Sequence, residues 1–326
     1  MDFNLNTAPE VKQLEVDENT VYDTLVLGSG PAGLNAALYL KRKGLEVAII
    51  GRQAGGQVAD TSWVENYLGY SNITGSGLVD EFEKHVLSLG IPIIRYYGVT
   101  KLEQTADLSF NVFCEDGKVY KANSLIIATG ASKRKLGVPG EKELYGRGVT
   151  YCAICDGPLY KNVDVVVAGG GNSAVEAAID LSKTSSNVKI IHRSKFRADQ
   201  IILDQLVKIP NITYNLETDI KSINGDMGVD SITIQDKKTG EITEIPTTGV
   251  FVEIGNIPNT DMFKGLINLN PIGEIITDEF GATNVPGIYA AGDVTTVKYK
   301  QIIIAAAQGA SSALALNEWY MLRSTN

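Results

Sequence analysis

Two of the three cysteines in this chain of 326 residues are three positions apart in the segment "YCAICDGPLY", and an aspartate directly follows the second of them. At the start of a helix, the spacing of Cys152 and Cys155 lets the two sulfurs reach bonding distance, and the helix N-terminus lowers the pKa of a thiol there. Asp156 is placed to protonate a leaving thiolate or to deprotonate an attacking thiol. This segment favours a redox-active disulfide.

Other interpretations of the cysteine pair are weaker or stay open. A zinc site would need two further ligands, but the remaining candidates, Cys114, His85 and His192, have no paired spacing. The scarcity of histidine also gives little support to a cysteine nucleophile with a histidine base. A pair of buried structural thiols stays an alternative, although the Asp-Gly-Pro that follows favours a turn. Because a disulfide draws electrons from a nicotinamide hydride only through a flavin, a redox pair calls for two dinucleotide sites.

An internal repeat supplies two such sites. The segment "DTLVLGSGPAGLNAALYL" (23–40) corresponds to "DVVVAGGGNSAVEAAIDL" (164–181), and "LEVAIIGR" (45–52) corresponds to "SNVKIIHR" (186–193) at the same offset of 141 residues. Each copy has an apolar strand, a glycine turn, an amphipathic helix and a second apolar strand, which is typical of a βαβ unit.

The glycine turns have the residue types that a dinucleotide pyrophosphate requires. The first glycine makes a tight turn, the second lets the pyrophosphate approach the backbone, and the third position packs the helix closely on the strand, while the helix N-terminus offers amides to the phosphates. The predicted binding residues are Gly28, Gly30, Pro31, Ala32 and Gly33 in the first copy, and Gly169, Gly171, Asn172, Ser173 and Ala174 in the second.

The two copies differ at the end of the second strand, where a dinucleotide's ribose is recognised. The first copy has Gly51 and Arg52 there, and the second has His192 and Arg193, with Arg197 close behind. An acidic residue would bind a ribose 2′-hydroxyl, whereas arginine accommodates a 2′-phosphate. We therefore expect NADPH at the second site, with NADH possible; the alternative is a solvated basic loop.

Composition limits the class of protein. The formal net charge of −9 and the sequence pI of about 4.9 argue against nucleic acid as a partner. The apolar stretch 302–316 is too short to span a bilayer, and residues 1–20 lack the features of a secretory signal, so we expect a cytoplasmic protein with no membrane partner.

The chain is long enough for two domains, and the repeat defines them. We predict an α/β fold with two Rossmann-like, three-layer ββα dinucleotide-binding domains, the second inserted into the first. The expected boundaries are a polar extension at 1–20, a discontinuous first domain at 21–122 and 249–326, and a second domain with the cysteines at 123–248.

From about residue 20 to its C-terminus the chain resembles the low-molecular-weight thioredoxin reductases, the class II pyridine nucleotide-disulfide oxidoreductases. The resemblance is carried, in order, by "GSGPAG", "GGQV", "ENYLGY", "ATG", "CAICDG", "GGGNSAVEAA", "HRSKFRA" and "YAAGDVTTVKYKQI". The segments "CDGPLYKN", "GVFVEIG" and "GDVTTVKYKQIIIAAAQGA" are similar to the flavoprotein reductase of the alkyl hydroperoxide reductase system.

The resemblance implies FAD at the first glycine turn and catalytic roles for Cys152, Cys155 and Asp156. It implies a homodimer and electron flow from NADPH through FAD and the disulfide to a thioredoxin-like or glutaredoxin-like protein. It also implies rotation of the second domain, for which we expect hinges near 121–126 and 246–249. The further FAD residues that it implies are Gly56, Gln57, Asn66, Thr129, Gly130, Gly292, Asp293, Gln301 and Ile302.

Other functions use the same residues. The family's "HRRxxxR" motif is one residue shorter here, as "HRSKFR", so a ferredoxin-fed or otherwise NADPH-independent reductase stays open. A small-molecule dithiol oxidase would need the flavin and the cysteines but not the basic loop. A reductase of a peroxiredoxin system and a flavin-bearing interaction protein without turnover are further alternatives.

Overall fold

The computed structural model describes residues 15–61, 63–107 and 109–324. Within them the chain forms two compact units: the first contains the described residues up to Ser132 and from Ile257 onward, and the second is Lys133–Asn256. Of the predicted extension 1–20, residues 1–14 lie outside the described part, and Val16 is buried in the core of the first unit.

The elements are numbered along the chain. The α-helices are α1 (Pro31–Arg42), α2 (Gly75–Ser88), α3 (Ala153–Asp156), α4 (Asn172–Leu181), α5 (Gln200–Leu206) and α6 (Ile302–Ser324), and short 3₁₀ helices span Gly56–Asp60, Gly157–Tyr160 and Asp261–Phe263. The strands are β1 (Val21–Leu27), β2 (Val47–Gly51), β3 (Trp63–Val64), β4 (Ile73–Thr74), β5 (Ile93–Arg95), β6 (Val99–Gln104), β7 (Phe110–Cys114), β8 (Val119–Ile127), β9 (Ala131–Lys133), β10 (Val149–Thr150), β11 (Asp164–Ala168), β12 (Asn187–Ile191), β13 (Ile212–Asn215), β14 (Thr218–Asn224), β15 (Ser231–Asp236), β16 (Ile242–Pro246), β17 (Gly249–Val252), β18 (Asn256–Pro258) and β19 (Ile288–Ala290).

The first unit is built on a parallel sheet in the order β5-β2-β1-β8, with β19 paired to the C-terminal part of β8. The N-terminal part of β8 continues into the antiparallel strands β7 and β6. Leu25 and Leu27 of β1 pack in the cluster that includes these antiparallel strands, and Val26 packs in the cluster that includes α1 and α6. Both faces of β1 are therefore buried, which explains its apolar sequence.

The second unit repeats this arrangement. Its parallel sheet has the order β10-β17-β11-β12-β13, and β14, β15 and β16 form a separate antiparallel sheet. Val165 and Val167 of β11 pack in the cluster that contains α4, and Val166 packs in the cluster that contains β15. Each unit thus has an antiparallel layer, a parallel sheet and helices, and the predicted fold of two Rossmann-like ββα domains is confirmed.

The division between the units differs from the expected boundaries and hinges. Residues 121–126 belong to β8 and pair with β1, so this segment cannot be a connection between units. Residues 246–249 lie between β16 and β17, inside the second unit. The chain instead crosses between the units at 132/133 and 256/257. The first crossing follows β8, which pairs with β1 and β7 in the first unit, and the second follows β17, which pairs with β10 and β11 in the second unit.

None of the helices in the described residues is both long enough and apolar enough to cross a bilayer.

Candidate functional site

The two βαβ units have the same backbone arrangement. β1 pairs with β2, and β11 with β12, in registers that agree at the offset of the sequence repeat. The amide of Gly28 donates to the carbonyl of Ile50 at 2.7 Å, and the amide of Gly169 donates to that of Ile191 at 3.0 Å. The sequence repeat is therefore a repeat of hydrogen bonds as well.

The glycines of the first turn have the three roles that a dinucleotide turn requires. Gly28 has φ +122°, and a Cβ atom placed on it would lie 2.1 Å from the Ala128 carbonyl oxygen. A Cβ on Gly33 would lie 1.9 Å from the Gly28 oxygen, so the helix packs as closely as glycine allows. A Cβ on Gly30 would come no nearer than 3.9 Å, to Gly55 O, which leaves the backbone open where a pyrophosphate would approach.

Both helices that follow the glycine turns begin without a side-chain cap from any described residue. Gly30 precedes α1 with φ −78° and ψ −178°, and Gly171 precedes α4 with φ −93° and ψ −176°. No acidic residue lies in the first turn of either helix. Around a Cβ placed on Gly171 no described heavy atom lies within 4 Å. The start of each helix thus lacks a side-chain cap and an acid of its own first turn, and both turns fit a dinucleotide phosphate.

Several side chains predicted for the first site lie together in the first unit. Gln57 Nε2 donates to the Ala131 carbonyl at 2.7 Å and lies 3.5 Å from Asp293 Oδ2. Asn66 Nδ2 donates to Gln301 Oε1 at 3.3 Å. The contacts of Gln57 with Asp293 and of Asn66 with Gln301 join segments more than two hundred residues apart in sequence.

Two further glycines predicted for the first site, Gly56 and Gly292, lie beside the first glycine turn. A Cβ on Gly56 would be 3.5 Å from the Cα of Gly30, and a Cβ on Gly292, which has φ +81°, would be 2.9 Å from the Cβ of Ala32. Ile302 is the first residue of α6. The segments that carry Gly56 and Gly292 therefore border the first glycine turn.

Asn259 is a residue of this region that was not predicted from the sequence. Thr129 Oγ1 donates to the Asn259 carbonyl at 2.8 Å, and Asn259 Nδ2 donates back to the Thr129 carbonyl at 2.8 Å. The Asn259 amide also donates to the carbonyl of Gly130 at 3.0 Å. Asn259 thereby holds the turn after β8, but its only sequence signal is a polar residue after a proline.

Lys300 is a second residue that was not predicted. Its Nζ donates to the backbone carbonyls of Asp293 at 3.2 Å and Thr295 at 2.6 Å. It also forms an ion pair with Glu274 at 2.9 Å, and both side chains are only 16% exposed. The Lys300 ammonium thus fixes the loop that carries Asp293.

At the second turn, His192 is buried and the nearby arginines are exposed. A Cβ on Gly170 would lie 2.3 Å from the His192 ring, whose Nε2 is 3.0 Å from Ser194 Oγ. Burial, together with the charges of Arg197 and Arg193, lowers the pKa of His192, so the ring is neutral at pH 7. The Arg197 amide donates to the Gly170 carbonyl at 2.7 Å, which ties the basic loop to the glycine turn.

The start of α4 is tied to the residue before α5. Asn172 Nδ2 donates to Asp199 Oδ2 at 2.8 Å, and the Asp199 amide donates to Asn172 Oδ1 at 2.8 Å. Ser173 is exposed and Ala174 is buried. A Cβ added to Gly169 would lie 2.7 Å from the Cβ of Ala174, so the helix packs closely on the turn. Asp199, the residue before α5, is thus an acid beside the start of α4 that the glycine motif did not predict.

The cysteine pair forms a disulfide in the second unit. The Cα atoms of Cys152 and Cys155 are 5.3 Å apart, and the Cys152 sulfur caps α3 by accepting from the Cys155 amide at 3.2 Å. Cys114 is a buried strand residue, and burial raises the pKa of its thiol to about 12.

Asp156 lies at the C-terminal end of α3. Burial raises the pKa of its carboxyl, and a hydrogen bond from the Thr150 hydroxyl opposes this shift. Thr150 Oγ1 also accepts from the Cys152 amide at 3.3 Å. A carboxyl that keeps its proton to a higher pH beside a disulfide has the chemistry of a proton donor for thiol–disulfide exchange.

Comparison with known proteins gives relatives of two kinds. An NADH dehydrogenase of Ferdinandcohnia aciditolerans is 41% identical over 98% of this chain and 61% of its own length. An alkyl hydroperoxide reductase component of Staphylococcus epidermidis is 41% identical over 92% of this chain and 59% of its own length. The chain thus spans about three fifths of these curated relatives.

Solved thioredoxin reductases match this chain over nearly their full length. The enzyme from Streptococcus pyogenes is 40% identical and superposes with a TM-score of 0.87, covering 94% of this chain and 99% of its own. The enzyme from Giardia duodenalis is 30% identical with a TM-score of 0.86, covering 92% and 99%. The pyridine nucleotide-disulphide oxidoreductase model matches residues 22–309. The chain belongs to the pyridine nucleotide-disulphide oxidoreductases, a family of enzymes that use FAD and a pyridine nucleotide.

Proposed function

We propose that the chain reduces the disulfide of a thioredoxin-like protein with electrons from NADPH, passed through FAD and the Cys152–Cys155 disulfide. The observation that carries this proposal is the disulfide at the start of α3, with Asp156 beside it, in a chain with two open glycine turns. The similarity to thioredoxin reductases over nearly their whole length supports it.

The two glycine turns take different dinucleotides in this proposal. Bound FAD supplies two-electron transfer between a nicotinamide hydride and a disulfide. We assign FAD to the first unit, held by Gly28, Gly30, Pro31, Ala32, Gly33, Gly56, Gln57, Asn66, Thr129, Gly130, Gly292, Asp293, Gln301 and Ile302. We assign NADPH to the second unit, held by Gly169, Gly171, Asn172, Ser173, Ala174, His192, Arg193 and Arg197.

The preference for NADPH depends on the basic loop after β12. The guanidinium groups of Arg193 and Arg197 are exposed beside the second glycine turn and match the charge of a 2′-phosphate. The neutral, buried His192 ring packs on that turn and orients the backbone from which Arg193 projects.

Thiol–disulfide exchange is performed by the chain's own residues. One sulfur of the reduced pair attacks a sulfur of the partner's disulfide, and that disulfide bond breaks as a mixed disulfide forms. The other sulfur of the pair then attacks the mixed disulfide and restores the Cys152–Cys155 bond. Two electrons and two protons pass to the partner, which leaves as a dithiol. Asp156 gives a proton to the departing thiolate, for which its raised pKa suits it.

A second candidate partner is the peroxidase component of an alkyl hydroperoxide reductase system. Relatives named as alkyl hydroperoxide reductase components are 41% to 42% identical to this chain, and this favours the candidate. The exchange chemistry at the disulfide is the same in both cases. A cytoplasmic location and a homodimer stay predictions.

The test is NADPH oxidation by the purified, FAD-loaded protein in the presence of a bacterial thioredoxin. We expect steady oxidation that requires the thioredoxin and is faster with NADPH than with NADH. Turnover with a peroxiredoxin but not with thioredoxin would establish the second candidate. Flavin reduction by neither nicotinamide would contradict the proposal and favour a ferredoxin or a small dithiol as the electron donor.

A further inference from the structure

Glu253 occupies in the second unit the backbone position that Ala128 occupies in the first. The Ala128 amide donates to the Leu27 carbonyl at 2.8 Å, and the Glu253 amide donates to the Ala168 carbonyl at 2.8 Å. In each unit the carbonyl of this residue faces the first glycine of the turn. A Cβ added to Gly28 would lie 2.1 Å from the Ala128 oxygen, and a Cβ added to Gly169 would lie 2.3 Å from the Glu253 oxygen. Because the first unit forms the same turn with Ala128 at this position, the glycine turn does not require the Glu253 carboxyl.

The carboxyl of Glu253 reaches the helix that carries the disulfide. Glu253 Oε1 accepts from the amide of Ala153 at 3.4 Å, across 100 residues of sequence. Ala153 is the first residue of α3 and lies between the two cysteines. Burial raises the pKa of Glu253, and the charge of Lys133 and the bond from Ala153 oppose this shift. A half-buried carboxyl is costly without a hydrogen-bond partner, and its partner here is the Ala153 amide of the disulfide turn.

Three other amides near the disulfide bond to groups close to them in sequence. The Cys152 amide donates to Thr150 Oγ1 at 3.3 Å, the Cys155 amide to the Cys152 sulfur at 3.2 Å, and the Asp156 amide to the Cys152 carbonyl at 3.0 Å. The bond to Glu253 is therefore of a different kind, since it ties the turn to the end of β17 in the core of the unit.

We propose that Glu253 is a positioning residue for the redox disulfide, which fastens the turn of Cys152 and Cys155 to the end of β17 and keeps the two sulfurs where the disulfide closes. The inference rests on the proposed function in one respect, that this pair is the redox centre. When the pair is reduced, the S–S bond breaks, and two electrons and two protons give two thiols. The turn is then held by its remaining contacts, and the bond to Glu253 weakens as the thiols move apart, so this bond favours the oxidised pair.

The test is the equilibrium between this disulfide and glutathione, measured on the FAD-loaded protein. Two glutathione molecules give up two electrons and two protons to the pair and leave as glutathione disulfide. Acid quenching, alkylation and mass spectrometry of the peptide with Cys152 and Cys155 report the reduced fraction separately from Cys114. Glu253→Ala should raise the equilibrium constant for reduction about fivefold, the effect of one lost hydrogen bond. Glu253→Gln keeps the Oε1 acceptor and should stay within about twofold.

A second variant removes the donor and leaves Glu253 in place. Proline is tolerated at the first position of a helix and lacks the amide, so Ala153→Pro should shift the equilibrium about as much as Glu253→Ala, about fivefold. The double variant should shift it no further. The matched control is Glu241→Ala, an exposed glutamate of the same unit, which should leave the equilibrium unchanged.

The inference is overturned if Glu253→Ala and Ala153→Pro both leave the equilibrium unchanged. It is also overturned if Glu253→Gln shifts it as much as Glu253→Ala, because the charge and not the hydrogen bond would then be responsible. The measurement uses neither NADPH nor a protein partner. Failure of the proposed function would appear elsewhere, as thioredoxin reduction that survives the loss of either Cys152 or Cys155.

Discussion

The two βαβ units share a backbone but fill one small space beside the glycine turn from opposite sides. In the first unit the Ser29 side chain occupies it, and a Cβ on Gly51 would lie 2.1 Å from Ser29 Oγ. In the second unit the His192 ring occupies it, and Gly170, at the position equivalent to Ser29, has no side chain. The space holds one side chain, which comes from the turn in one unit and from the end of the second strand in the other.

The position of this side chain distinguishes the backbone features that both units share from the side chains that differ between them. The glycine turn is specified by its backbone, and the same strand register and amide bonds recur in both units. The last residue of the second strand can carry a large side chain, as His192 does, when the turn residue opposite it is a glycine, as Gly170 is. In the proposed function, this strand end, Gly51 in one unit and His192 in the other, lies where the ribose of each dinucleotide would be recognised.

The largest expected effect concerns the cysteines. Those of the second unit form a disulfide, whereas Cys114 of the first unit is a buried free thiol. Cys152→Ser and Cys155→Ser should each lower the reduction of a thioredoxin by about a thousandfold or more, because exchange needs both sulfurs. Cys114→Ser, in the first unit, should leave the rate nearly unchanged. Steady-state rates with NADPH measure both. Full thioredoxin reduction by either of the first two variants would show that the pair is structural.

The next effect concerns the third position of each glycine turn. Gly33→Ala would place its Cβ 1.9 Å from the Gly28 carbonyl, so we expect a loss of about 2 to 3 kcal/mol in stability and a loss of bound FAD. The reverse change in the second unit, Ala174→Gly, should cost at most about 1 kcal/mol. Denaturant unfolding and the flavin content of the purified variants measure the difference. Equal costs would mean that the two turns tolerate the same packing.

A smaller effect separates the two arginines at equivalent strand ends. Arg193→Ala should weaken the apparent affinity for NADPH about tenfold and leave kcat and the affinity for NADH nearly unchanged, since a phosphate contact is lost. Arg52→Ala is the matched control, because Arg52 Nε donates to Glu115 in the first unit at 3.2 Å. Initial rates over a range of NADPH and NADH concentrations test this prediction. Equal affinities for NADPH and NADH in the unmodified protein would show that the basic loop does not select a ligand.

The smallest effect is a pH dependence from the buried thiol of the first unit. Burial raises the pKa of Cys114 from 9.0 to about 12, so the folded protein retains this proton at a pH where the unfolded chain releases it. The thiol's contribution to stability is complete below pH 9 and falls as the pH rises towards 12. We expect a loss of about 1 kcal/mol between pH 8 and 10 that Cys114→Ala lacks. Urea unfolding at the two pH values checks it, and parallel losses in both proteins would contradict it.

Features that depend on neighbouring residues were predictable from the sequence. The glycine spacing and the apolar runs on either side of it predicted both βαβ units, because the steric needs of a tight turn and the burial of both strand faces act on consecutive residues. The spacing of Cys152 and Cys155 predicted a disulfide for the same reason, since one helical turn brings the two sulfurs together.

Only the tertiary structure decided which distant residues support these turns. Asn259 meets Thr129 across 130 residues, and Glu253 meets Ala153 across 100. β17 lies between β10 and β11, an order that the periodicity of the sequence does not encode. The compact units also divide at 132/133 and 256/257 and not at the expected positions, because β8 and β17 are each paired inside one unit. Such contacts depend on strand order and on the shape of the assembled sheet, to which each segment contributes only its own pattern of apolar and polar residues.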